Sequence, residues 1–161
     1  MTTVTETDPR ERVIAALESA GVAYRLITHG RVRNLAEAAE ARGVEPADVV
    51  KTLVVRRGQD DYVFVLVPGD RTLSWPKVRQ SLGVSRLSMP DAADAQRATG
   101  FARGTITPFG STTPWPVLAD HRLRGRAVTL GAGGHGMAVA VDADDALTAL
   151  DAQLGDLTEP E

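Results

Sequence analysis

Two β-branched runs, Val49 to Arg56 and Tyr62 to Val67, flank the segment Arg57-Gly58-Gln59-Asp60-Asp61. Valine-rich runs parted by a short Gly/Asp turn read as the strands of a hairpin. Nearly every side chain in them is apolar, so the pair forms an apolar wall inside whatever domain contains it. One residue breaks that wall. Lys51 sits in Val49-Val50-Lys51-Thr52-Leu53-Val54-Val55, in a chain where Lys51 and Lys77 are the only lysines among 18 basic residues. An ammonium desolvated by apolar neighbours costs several kcal/mol, on the order of the penalty for any buried ion, unless a partner offsets it. A ligand phosphate or carboxylate would serve. The plainer reading is an edge-strand lysine that blocks aggregation or reaches water along its stem.

The elements around the hairpin follow from period and punctuation. Val13, Ala16, Leu17 and Ala20 share one face of a helix over residues 9–20, ended by Gly21. Residues 22–27 read as a strand. Asn34 caps a helix over 35–42 that Gly43 closes. Short helices are expected at 75–82, with Pro76 in its first turn, and at 91–98, capped near Asp91. Residues 100–116 are rich in Gly, Pro and Thr and have no period. Strands then follow at 116–119, 127–130 and 137–141, and Asp142 caps a last helix over 143–152. Several strand pairs lie too close in sequence for helical crossovers, which implies a single mixed α/β domain with much antiparallel pairing. We expect that domain to span 9–152, between a mobile segment 1–8 and a mobile acidic tail 153–161. The first ten residues lack the apolar core of a signal peptide, and no run is long enough for a membrane helix, so the expected location is cytoplasmic.

Three further segments could carry chemistry. Gly104-Thr105-Ile106-Thr107-Pro108-Phe109-Gly110 is stiffened by proline and opened by glycine, so its backbone N–H groups could approach an oxyanion or hydroxyl; it could equally be a plain turn-rich connection. Gly131-Ala132-Gly133-Gly134-His135-Gly136 matches G-x-G-x-x-G, but Met137 to Val141 alternates like a strand. A dinucleotide fingerprint needs a helix there, so a glycine-rich hairpin with His135 at its tip is the better reading. Arg122, Arg124 and Arg126 would share a face if extended, suited to a few phosphates, or would be a solvated turn. Arg56 and Arg57 carry the same ambiguity.

Composition removes whole classes. With no cysteine there is no disulfide framework, thiolate nucleophile, Fe–S cluster or Cys-based zinc site. His29, His121 and His135 lack metal-ligand spacing, so no metal and no cofactor is expected. Neither a G-x-S-x-G elbow nor a Walker A motif is present. A net charge of −3 argues against a protein that coats DNA, while leaving room for a local basic patch.

In order and spacing, the Lys51-Thr52-Leu53 strand, the stretch Thr99 to Gly110 with its Gly104-x-x-x-Pro108 loop, and the Gly131–Gly134 hairpin resemble the YbaK/EbsC family. These are free-standing aminoacyl-tRNA deacylases related to the editing domain of bacterial prolyl-tRNA synthetase. The likeness runs over about residues 11 to 152. It implies a mixed, partly barrel-like sheet flanked by helices, and hydrolysis of the ester between a wrong amino acid and the 3′-terminal adenosine of tRNA. Families of this kind use no side-chain nucleophile. The resemblance implies that Lys51 contacts the terminal phosphate or ribose and that the Gly104 backbone fixes the reacting carbonyl or water. Thr105, Ile106, Thr107, Pro108 and Phe109 would shape the amino-acid pocket, and His135 and Arg124 would touch the acceptor stem. An aminoacyl-tRNA synthetase is a further expected partner, membranes and DNA are not. Thr105 stands where many relatives have a second glycine, and Asn34 where they often have Ser or Thr. The alternative is a module that binds charged tRNA or docks on a synthetase without turnover.

Overall fold

The computed structural model describes residues 8–161, so the segment expected to be mobile lies, apart from Asp8, outside the described residues. Helix α1 (Pro9–Ser19) begins where the Asp8 carboxylate accepts the Arg10 N–H at 2.9 Å. Its Val13 and Leu17 are fully buried. The Val22 N–H returns to the Leu17 carbonyl and closes the helix over Gly21, so strand β1 (Tyr24–Thr28) starts later than the hydropathy pattern suggests. Helix α2 (Leu35–Arg42) is capped as expected: Asn34 accepts from Glu37 N–H at 2.9 Å, and Gly43 turns left-handed to end it.

After a 3₁₀ turn at Pro46–Asp48 come β2 (Val50–Gly58) and β3 (Asp61–Pro68), antiparallel along their whole length. Then follow β4 (Arg71–Leu73), α3 (Trp75–Leu82), α4 (Ala92–Thr99), β5 (Val117–Asp120), β6 (Ala127–Gly131), β7 (Met137–Asp142) and α5 (Ala143–Ala149). The last helix stops short of residue 152 because Asp151 takes a left-handed backbone, φ 50°, and Ala152 N–H bonds back to Leu147 O.

Residues 153–161 are not the free tail expected from their acidity. They form β8 (Gln153–Gly155), parallel to β5, and β9 (Thr158–Pro160), antiparallel to β4. Between these strands Leu157 is buried, an anchor that the surrounding acids hide from a composition reading.

The larger strands make two sheets, β1-β7-β6 and β2-β3-β5-β8. A single parallel bridge, Val49 to Thr129, joins them at one corner. The barrel-like character implied by the family goes no further than that corner, and no closed barrel forms among the described residues. Because strand side chains alternate, β2 presents two different faces. Val50 and Val54 point into the main core with Leu17, Phe64, Phe101 and Leu130. Leu53 and Val55 point the other way, into a second core with Val65, Val78 and Leu157.

Candidate active site

β2 is an edge strand of its sheet. Two isolated bridges bound its outer edge, Val49 to Thr129 at one end and Arg56 to Ser88 at the other. Arg56 exchanges both its N–H and its C=O with Ser88, at 2.8 and 3.1 Å. Alternation then directs the backbone groups of Thr52 and Val54 outward along the same edge, which no strand among the described residues covers. An open cleft of about 670 Å³ runs there. Its walls are the edge of β2, Arg42 at the end of α2, the Met89–Ala92 approach to α4 with Ala95, and the residues Arg103, Gly104, Ile106 and Gly131.

The Gly104 loop is held from behind. Arg12 of α1 donates from Nη2 to Gly100 O at 2.7 Å and from Nε to Gly110 O at 3.1 Å, pinning both ends of the stretch that contains it. The Gly133 N–H donates to Thr105 O at 3.1 Å. A side chain at Gly131 would meet Ile106 O at 2.9 Å. Loop and glycine hairpin therefore pack backbone to backbone, which explains the glycines without any dinucleotide. Gly104 itself has φ +86°, a conformation L-residues resist, and it is exposed to the cleft with only the His135 ring within 4 Å of where a Cβ would be. The His135 ring thus packs beside the loop.

The other expected pocket residues divide sharply. Gly104 and Ile106 line the cleft. Thr105, Thr107, Pro108 and Phe109 are buried behind it, Thr105 tied to Ala102 O and Phe109 in the main core. Arg124 is exposed, away from the cleft, on a turn after a 3₁₀ segment at His121–Leu123, so the three arginines do not alternate on a strand. Arg122 is paired with Asp120 and Asp156, and Arg126 with Asp48. At the far end of β2, Arg56, Arg57, Arg79 and Arg86 line a shallower depression of about 530 Å³, where Arg57 is paired with Asp61.

Lys51 borders the cleft, but its place on β2 is the Leu53 and Val55 side, toward the second core. Its ammonium donates to Arg71 O at 2.5 Å and lies 3.6 Å from a Glu161 carboxylate oxygen. The partner that an apolar wall demanded is thus supplied by β4 and the C-terminal residues. Two cleft groups that sequence reasoning missed have no such provision. Thr52 Oγ1 is buried with no hydrogen-bond partner, and so is Arg42 Nε. Burial pushes the Arg42 pKa down from its ordinary value, and the residue makes one hydrogen bond, from Nη1 to Thr129 Oγ1 at 3.1 Å. In the sequence Arg42 is an ordinary basic residue in a last helical turn. Only the Val49–Thr129 bridge, which brings β6 beside it, makes it part of a cleft.

Among the described residues no three His, Asp or Glu side chains gather as a metal-binding group. No described helix is long and apolar enough to cross a membrane.

Comparison with known proteins bears on what such a cleft serves. The family model for the aminoacyl-tRNA editing domain matches residues 29–149, which include every element of the cleft. The chain belongs to this family. It is 27% identical over 124 residues, 76% of this chain and 76% of that one, to EbsC of Enterococcus faecalis, named as a candidate Cys-tRNA(Pro)/Cys-tRNA(Cys) deacylase. It is 37% identical over 115 residues to the proline–tRNA ligase of Acidithiobacillus ferrooxidans, 71% of this chain but 20% of that enzyme. A solved structure described as a candidate trans-editing enzyme for prolyl tRNA synthetase shares the fold at a TM-score of 0.86. It is 29% identical and the match covers 96% of this chain and 99% of that one. The shared fold therefore extends past the matched residues to nearly the whole chain.

Proposed function

We propose that the protein is a free-standing editing hydrolase that cleaves mischarged aminoacyl-tRNA at the 3′-terminal ester. The observation that carries this reading is the open cleft along the β2 edge, with the exposed Gly104 backbone on one wall, in a chain of the editing-domain family. The cleft is lined by neither serine nor histidine, so no triad is at hand. An aminoacyl ester hardly needs one. Its acyl group is already activated, and holding it beside a water with a donor aimed at the developing oxyanion supplies most of what is required. Water adds to the ester carbonyl, the tetrahedral oxyanion collapses, the bond to the ribose oxygen breaks, and that oxygen leaves with a proton. In this scheme Gly104 presents backbone to the reacting carbonyl, Ile106 contacts the amino-acid side chain, and Lys51 steadies the acceptor end. Thr105, Thr107, Pro108 and Phe109 act from behind by fixing the loop. The arginines around the second depression meet acceptor-stem phosphates, so affinity falls steeply with salt. The substrate places the protein in the cytoplasm, working alongside a synthetase that makes the error.

The experiment is single-turnover deacylation against a panel of mischarged tRNAs, with Lys51→Ala in parallel. Selective hydrolysis of one or two species, reduced at least ~10²-fold in the variant while the fold persists, is the expected result. The existing engagement of Lys51 by Arg71 O and Glu161 favours one second reading, a module that binds charged tRNA without turnover. Binding with no acceleration over spontaneous ester loss would establish it instead.

A further inference from the structure

Three cations border the cleft, and they differ in what they already have. The Lys51 ammonium is met by a carbonyl and a carboxylate. Arg103 is exposed, so water solvates it. Arg42 is half-buried, its Nε is closed off from solvent without a partner, and no acidic side chain among the described residues pairs with it. A guanidinium stays charged at any pH the protein meets, and an uncompensated charge at such a depth is expensive to keep. The cost is not repaid by structure: the one neighbour Arg42 bonds, Thr129 Oγ1, is neutral. The buried Thr52 Oγ1 in the same cleft is a second polar atom left open. Arg42 Nε and Thr52 Oγ1 are themselves out of a ligand's reach. Arg42 nonetheless lines the cleft and is not fully buried, so its Nη groups offer a ligand with anionic oxygens charge-assisted N–H donors in a fixed planar geometry.

We infer that Arg42 is the anion-binding residue of the cleft and that it receives the 5′-phosphate of the substrate's terminal adenosine. This rests on the proposed function for the identity of the nucleotide, though not for the anion chemistry. Arg42 is then an affinity residue. It grips ground state and transition state alike, and its loss raises the half-saturating substrate concentration while leaving the saturated rate nearly unchanged.

The test is calorimetric titration of the full chain with adenosine 5′-monophosphate and with adenosine, using wild type, Arg42→Met and Arg42→Lys. The wild type should prefer the phosphorylated ligand by about tenfold to a hundredfold, the size of one charge-assisted contact. Arg42→Met should abolish that preference with adenosine affinity unchanged, and Arg42→Lys should keep part of it. Unchanged adenosine affinity guards against a merely structural role, because Arg42→Met also strands the buried Thr129 Oγ1 and lowers the melting temperature whichever role Arg42 has. A preference that is absent in wild type, or that survives in Arg42→Met, overturns the inference. The two readings fail separately. An Arg42-dependent phosphate preference without any deacylation sinks the editing reading and keeps the anion site. Deacylation with a preference indifferent to Arg42 does the reverse.

Discussion

The two faces of the β2–β3–β5 sheet treat charge in opposite ways. On the face toward the second core, polar groups are paired off by the C-terminal residues. Asp120, wholly buried, accepts from Leu157 N–H at 3.1 Å, from Thr158 Oγ1 at 2.9 Å and from Arg122 N–H at 3.0 Å. Asp156 bridges Arg122 and Lys77, Glu159 also reaches Lys77, and Glu161 reaches Lys51, so both lysines of the chain are held by this one segment. On the cleft side, Arg42 Nε and Thr52 Oγ1 are buried and unanswered. A satisfied network of this kind fixes an arrangement, and an unsatisfied one marks where the molecule expects something else. The unanswered groups lie at the cleft along the outer edge of β2.

The largest effect should come from the cleft wall. Gly104→Ala forces a residue with a Cβ into φ +86°, at a cost of about 1–2 kcal/mol unless the loop shifts, and a shifted loop misplaces its backbone. Deacylation should fall by ~10²–10³-fold, the loss typical of one oxyanion donor, in single-turnover assays on protein whose circular dichroism is unchanged. Full activity in this variant would remove the loop from the reaction and blur the contrast between the faces.

Asp120→Asn attacks the satisfied side. An amide cannot accept at both oxygens, so at least one of the donors around it is stranded, at about 1–3 kcal/mol. Chemical denaturation should show that loss, and amide exchange should quicken first over residues 153–160. Equal exchange in both proteins would mean that Leu157 alone anchors the segment.

Acid should reach the same knot without mutation. Burial raises the Asp120 pKa, but hydrogen bonds from Arg122, Leu157 and Thr158 outweigh it and leave the carboxyl below its ordinary range. Hydrogen bonds from Arg122 and then Lys77 bring Asp156 down to about 2. A depressed carboxylate contributes stability that is fully present above its unfolded pKa, about 3.9, and lost as pH falls through the folded value. The C-terminal strands should therefore stay docked at neutral pH and loosen as pH falls below about 4 toward the Asp156 value of about 2, measurable as exchange over 153–160 against pH. Loosening that begins at pH 6 would point to another titrating group.

The smallest effect belongs to Glu161→Gln. Its contact with Lys51 at 3.6 Å is half-exposed, so stability should change by less than ~1 kcal/mol. Deacylation should hold or rise a few-fold as the ammonium gains freedom. A large fall in rate would show that Glu161 positions Lys51 for its task, making the contact part of the site.

Local chemistry made much of this legible beforehand. Asn34, Asp91 and Asp142 cap the helices they were expected to cap, and the Val49–Val67 hairpin forms, because a cap or a hairpin turn depends on residues within a few positions of each other. The Lys51 strand and the Gly104 loop were equally visible and do border one cleft. Thr105, Thr107, Pro108 and Phe109 were expected in the pocket and lie behind it, because Arg12, about ninety positions away in sequence, draws the ends of their loop against α1. The last nine residues read as a solvated tail because the acids outnumber Leu157, whose burial depends on the second core being there to receive it.

What the sequence by itself determined was the set of elements, the apolar hairpin, the absence of nucleophile chemistry based on cysteine, and a likeness to the editing family carried by three short segments. Each of these depends on bonded neighbours or on composition. The tertiary structure alone decided which charges are spent and which are open: Lys51 on the satisfied face, Arg42 beside β6 with a donor to spare. Pairing of charge is a matter of a few ångströms between residues far apart in the chain, and no pattern along one strand or helix records it.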